Sequence, residues 1–146
     1  LPDRPRTAIA PLKESGARLF AEGSYDLLYG EGTVRQRFAR WLEAVEALPR
    51  VQTRVFTWPV VTVFPFLADP KRHLYLKPIV TKTAAERWGF PFEYSSRPCL
   101  ETYVSLLAFG RDVKQRLADS RFPGRAARDQ IDLQAFLWVL GSSEYD

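Results

Sequence analysis

Asp129 and Asp132, with Arg125 and Arg128 before them and Gln134 after, form the most polar constellation beside an apolar run in this chain. Positions i and i+3 share one helical face. Two carboxylates so placed could hold Mg²⁺ through water, since that ion takes one or two protein carboxylates together with phosphate oxygens. This makes a Mg²⁺-dependent nuclease or phosphodiesterase an alternative, with Asp129 and Asp132 as its catalytic candidates. A simpler explanation competes with it: aspartates in a first helical turn accept from free N–H groups and complement the helix dipole. Asp112-Val113-Lys114 echoes the acid-x-Lys element of metal-dependent nucleases. That element needs a strand and a second acid, whereas the pattern around it here is helical. The chain carries no Walker sequence, no strand followed by GxGxxG, no HExxH and no GxSxG, so no standard nucleotide or hydrolase motif is present.

The second constellation is basic and aromatic. Lys71, Arg72, His73 and Lys77, followed by Lys82, Arg87 and Trp88, combine cations that reach phosphates with rings that stack on bases. These six basic residues are the candidate binding set for a nucleic acid or another anionic partner. His73 is the sole histidine and Cys99 the sole cysteine. They cannot make a Cys/His zinc site, which needs about four ligands when structural and about three when catalytic. No metal and no cofactor is expected. Any Ser-His-Asp or Cys-His site would have to use His73, and its Lys-Arg-His context reads as a solvated basic turn.

Composition bounds the rest. With 146 residues, 46% of them hydrophobic and 26% charged, the chain can bury one core, and a single domain is expected. No apolar run approaches the roughly 18 to 20 residues that span a bilayer, so no membrane partner is expected. A lone cysteine forms no internal disulfide and points to the cytoplasm. The net charge of +4 permits an anionic partner without demanding one. The absence of Met, even at the start, suggests a piece of a longer chain whose remainder, or a protein partner, completes the function.

The elements that must position these residues divide into helices and a small sheet. Residues 1 to 11, with Pro2, Pro5 and Pro11, read as an extended arm, and 12 to 146 as one globular domain. A helix is predicted over 12 to 22, with Gly23 as its stop. The strongest prediction is the helix 33 to 48: Val34, Phe38, Trp41, Leu42, Val45 and Leu48 follow helical spacing, Thr33 can cap it and Pro49 bars continuation. Arg40 can meet Glu43 on its surface.

Residues 53 to 58, 60 to 66 and 73 to 77 are rich in strand formers, and Asp69-Pro70 supplies a turn between them. Pro59 and Pro65 would then sit at edges or bulges. Further helices are predicted over 81 to 89, with Thr83 and Glu86 at capping-box spacing and Gly89 at the end, over 98 to 118, bent or split at Gly110, and over 130 to 140. Residues 90 to 98, FPFEYSSRP, read as a packed aromatic loop, and Trp58, Trp88 and Trp138 as core. The expected fold is α+β: two or three short antiparallel strands packed on four or five helices.

The runs FPFLADPKRHLYLKP and ARDQIDLQAFLWV, about a fifth of the chain, resemble segments of a bacterial protein family with no assigned activity. That resemblance implies a prokaryotic, intracellular protein and brings no catalytic residue. The sequence therefore points to a non-catalytic binding module that contacts nucleic acid through its basic turn. The alternatives are the Mg²⁺-dependent enzyme and a protein-interaction or scaffold domain that docks a partner on the loop 90 to 98.

Overall fold

A computed structural model describes residues 14–49, 55–119, 124 and 126–145. Its elements are α1 (Glu14–Tyr29), α2 (Val34–Glu46), α3 (Trp58–Ala68), α4 (Pro78–Trp88), α5 (Leu100–Ala118) and α6 (Gln130–Gly141), with a closing 3₁₀ turn, Ser143–Tyr145. No strand occurs among the described residues, which overturns the α+β expectation. The expected arm over 1 to 11 lies outside them, as do the first residues of the strand expected over 53 to 58.

The helix α2 forms for the reasons its sequence shows. Phe38, Trp41, Leu42 and Val45 are buried, and Thr33 accepts from the backbone of Gln36 while the Gln36 side chain accepts from the backbone of Thr33. Its surface pairing differs from expectation. Arg40 reaches Asp26 on α1 at 2.6 and 3.0 Å, and not Glu43, so this ion pair ties two helices together. Nor does α1 stop at Gly23. A Cβ there would lie 2.8 Å from the Cβ of Ala44, so this glycine serves close approach of α1 to α2.

Helix α3 replaces one of the expected strands, and both prolines explain how. Pro59 falls in the first turn, where its missing N–H costs nothing. Pro65 sits inside the helix and cannot donate to the carbonyl of Val61. The Trp41 indole donates to that carbonyl instead, at 2.8 Å. Tertiary structure thus repairs the bond that proline removes.

The run 73 to 77, expected as a strand, has no regular secondary structure and pairs with no neighbour strand. Its backbone is satisfied by side chains: Leu76 N–H donates to Thr62 Oγ1 and Tyr75 N–H to Gln134 Oε1, both at 3.0 Å. Leu74 and Leu76 are fully buried. Leu74 lies against Gly110, where a Cβ would come within 2.6 Å of it. Gly110 therefore does not split α5, which runs unbroken from Leu100 to Ala118; it makes room for the segment 73 to 77. Around this segment α1 pairs with α2, α4 with α6, and α5 bridges α2 and α6.

Helix α4 begins at Pro78 and not at Thr81, so Thr83 lies inside the helix and is no cap. It ends at Gly89, whose φ of 75° is in the left-handed region that glycine adopts without strain.

Candidate functional site

The structure disperses much of the basic set. Arg72 donates to Asp69 at 2.7 Å. Arg87 donates to the carbonyl of Leu140 at 3.1 Å. Lys82 and Arg87 are five positions apart on α4, which places them about 140° apart around the helix. They cannot face one ligand. Among the described residues, Lys71, Lys77 and Lys82 form no ion pair. The ammonium of Lys77 lies 4.3 Å from the ring centre of Trp138, and that of Lys82 lies 4.7 Å from that of Tyr94.

His73 is the clearest correction to the sequence reading. It is 2% exposed and packs in the core, away from the solvated turn expected of it. Its Nδ1 lies 2.7 Å from the hydroxyl of Tyr103. The Leu74 backbone N–H also faces that phenol oxygen. Burial pushes His73 down to about 4, Arg37 and Arg72 add to the shift, and Asp69 opposes it. Burial likewise holds the Tyr103 phenol well above its ordinary value. Phe38 stacks on Tyr103 with ring centres 3.5 Å apart. The pair is a sealed, neutral polar contact in an apolar core.

The carboxylates proposed for metal chemistry are engaged locally. Asp129 caps α6, accepting from the backbone of Ile131 at 3.0 Å and of Asp132 at 2.9 Å. Asp132 is held by Arg128 at 2.8 Å, and that hydrogen bond lowers its pKa. Asp112 accepts from the Trp88 indole at 2.8 Å and pairs with Arg116. Among the described residues no three His, Cys, Asp or Glu side chains converge as a metal site would require.

A different place brings Lys82 and Arg97 to a cavity. A pocket of about 180 Å³ is lined by Phe56, Thr57, Trp58 and Pro59 at the start of α3, by Pro78 at the start of α4, and by Tyr94, Ser96, Arg97 and Pro98 just before α5. None of the three helix starts has a side-chain cap. No acidic residue lines the pocket. Arg97 stands in its wall and is ion-paired with Glu46. Lys82 lies over Tyr94, another wall residue. The loop is held in place: Trp58 Nε1 donates to the carbonyl of Ser95 at 2.7 Å, and Ser95 N–H donates to Thr102 Oγ1 at 2.9 Å. Cations, hydroxyls and the positive ends of helix dipoles all favour negative charge here.

No protein-family model, curated protein or solved structure matches this chain. The site is read from its chemistry alone.

Lys82 stands at the margin of the site over Tyr94, Lys77 precedes the wall residue Pro78 but turns its ammonium to Trp138, Lys71 stands exposed on the turn before them, and Arg72, His73 and Arg87 are otherwise engaged. Arg97 was missed. Its local context, an aromatic and proline-rich loop, signals packing, and only the fold brings it beside residues of α3 and α4. No helix among the described residues is long and apolar enough to cross a membrane.

Proposed function

We propose that this chain is a non-catalytic binding module of the cytoplasm that takes phosphate groups of a nucleic acid at the pocket where α3, α4 and α5 begin. Lys82 and Arg97 meet the phosphate, and Lys77 and Lys71 extend the basic margin. The observation that carries the reading is a pocket with no acid in its lining, whose wall residue Tyr94 lies beneath Lys82, a lysine with no ion-pair partner among the described residues. Phosphate contacts of this kind fix position on a chain of nucleotides without reading its bases.

Fluorescence anisotropy with labelled single-stranded and duplex DNA, at stepped salt, tests it. Affinity should fall with salt, at a log-log slope of about −0.9 per neutralised phosphate on duplex. Lys82→Glu should weaken binding to every sequence alike and flatten that slope by about one unit. Lys77→Glu should do the same less strongly, and inorganic phosphate should compete. An unchanged slope in both variants removes the pocket from the interface. Absence of binding at low salt removes the nucleic acid.

A further inference from the structure

The guanidinium in the wall of the pocket is already engaged by a carboxylate from another helix. Arg97 stands over Phe56, a second wall residue, with its guanidinium 5.8 Å from the ring centre. Its Nη2 donates to Glu46 Oε1. Glu46 is the last residue of α2, and that helix has no basic residue in its last turn. A carboxylate there meets the negative end of the helix dipole, where a cation is favoured. Arg97, from the loop before α5, supplies the cation. The pair is open to water all the same, its side chains being 67% and 46% exposed. An ion pair so exposed contributes little to stability, so another anion can take the place of Glu46 at small cost.

Size and charge limit which anion does so. The cavity of about 180 Å³ lies below the roughly 300 to 1,000 Å³ of sites that enclose a whole ligand. It suits one group at the end of a chain better than a stretch of chain. A phosphodiester inside a strand carries a single negative charge, as Glu46 does, and gains nothing by the exchange. A terminal phosphomonoester carries about −1.5 to −2 charges at pH 7 and three acceptor oxygens. It attracts Arg97 more strongly than a carboxylate does. Thr57, whose side chain does not cap α3, and Ser96 add hydroxyls to the lining, and Lys82 over Tyr94 adds a second cation at the margin.

We propose that the pocket selects the phosphorylated end of a nucleic-acid strand, and that Glu46 sets this preference by holding Arg97 until a terminal phosphate displaces it. Selection of an end rests on the phosphate reading of the pocket and goes beyond it, since that reading does not separate the end of a strand from its interior.

Fluorescence anisotropy at one fixed, low salt concentration tests it. Single-stranded DNA phosphorylated at one end or the other is compared with a hydroxyl-ended strand one nucleotide longer, which carries the same number of phosphates. The wild type should bind at least one phosphorylated strand about tenfold more tightly, as one charged hydrogen bond allows. Arg97→Gln should erase that preference. Glu46→Gln should widen it by about two- to fivefold, the worth of an exposed ion pair, by tightening the phosphorylated strand alone. Glu43→Gln is the control. It removes the same charge one turn earlier on α2, from an exposed residue with no ion pair among the described residues, and should leave the preference unchanged.

Equal affinity of the wild type for all the strands overturns the selection of an end while the phosphate reading stands. A preference that survives Arg97→Gln places the end elsewhere and overturns it too. So does an effect of Glu46→Gln that Glu43→Gln reproduces, because Glu46 would then act only as a general surface charge. Absence of binding by any strand overturns the phosphate reading, and the selection with it.

Discussion

Helix α2 and the stretch from α3 to residue 77 lie side by side in one core, yet they owe their conformations to different things. The backbone bonds of α2 close within the helix, and even its cap, Thr33 with Gln36, is local. In the second region the decisive bonds come from elsewhere in the chain: Trp41 to the carbonyl of Val61, Gln134 to the N–H of Tyr75, and Thr62 to the N–H of Leu76. Apolar strand formers can be buried as a sheet, as a helix or as a lone extended segment. Which one forms depends on where their N–H and C=O groups find partners. A sheet is the usual source. Here side chains of α2, α3 and α6 replace it.

The two regions meet at Trp41, so its loss should have the largest effect. Trp41→Ala should cost roughly 3 to 5 kcal/mol of unfolding free energy, for a cavity in the core together with an unmet carbonyl on α3. Denaturant unfolding measures this. A loss under about 0.5 kcal/mol would mean that α2 and α3 are not joined through this ring.

Next comes the proton balance of His73. Its folded value of about 4 lies below the 6.5 of the free side chain, so between those values the unfolded chain binds the proton and the folded one does not. Stability should be full above pH 6.5 and fall as pH drops toward 4, by up to about 3 kcal/mol. The difference in unfolding free energy between wild type and His73→Gln, followed over that window, isolates this contribution from the carboxylates. A difference that stays flat with pH would contradict a sealed, neutral imidazole.

The smallest effects sharpen the comparison most directly. Thr62→Val should cost about 1 to 3 kcal/mol, because it leaves the buried N–H of Leu76 without an acceptor. Thr33→Ala should cost about 1 kcal/mol, the usual worth of a helix cap. Thermal or urea unfolding reports both. Hydrogen exchange adds a spatial readout: Thr62→Val should speed exchange at Leu76, far along the chain, whereas Thr33→Ala should speed it only in the first turn of α2. A distant effect of the cap, or a purely local effect of Thr62, would erase the distinction.

The same distinction governs how much of the site could be read in advance. Asp129 as a helix cap was legible because its acceptors' partners are its own neighbours, two and three residues on. Lys77 and Lys82 were legible as exposed cations in a basic run. His73 was not: its neighbours Lys71 and Arg72 advertise solvent, and its burial follows from Tyr103, thirty residues away along the chain. The glycines divide likewise. Gly89 ends a helix by its own backbone conformation, whereas Gly23 and Gly110 look like breakers and act as contact points for Ala44 and Leu74.

By itself, then, the sequence determined the helices with a clear apolar stripe, above all α2, and the local chemistry at their ends. It also determined that residues 53 to 77 would be largely apolar. Tertiary structure decided that no sheet forms among the described residues, that α3 is a helix across Pro65, and that His73 lies in the core. It also decided which cations border a pocket. The reason is physical: periodicity encodes which face of an element is apolar, but the hydrogen-bond partner of a buried backbone group, or the neighbour of a charge, depends on residues that only folding brings near.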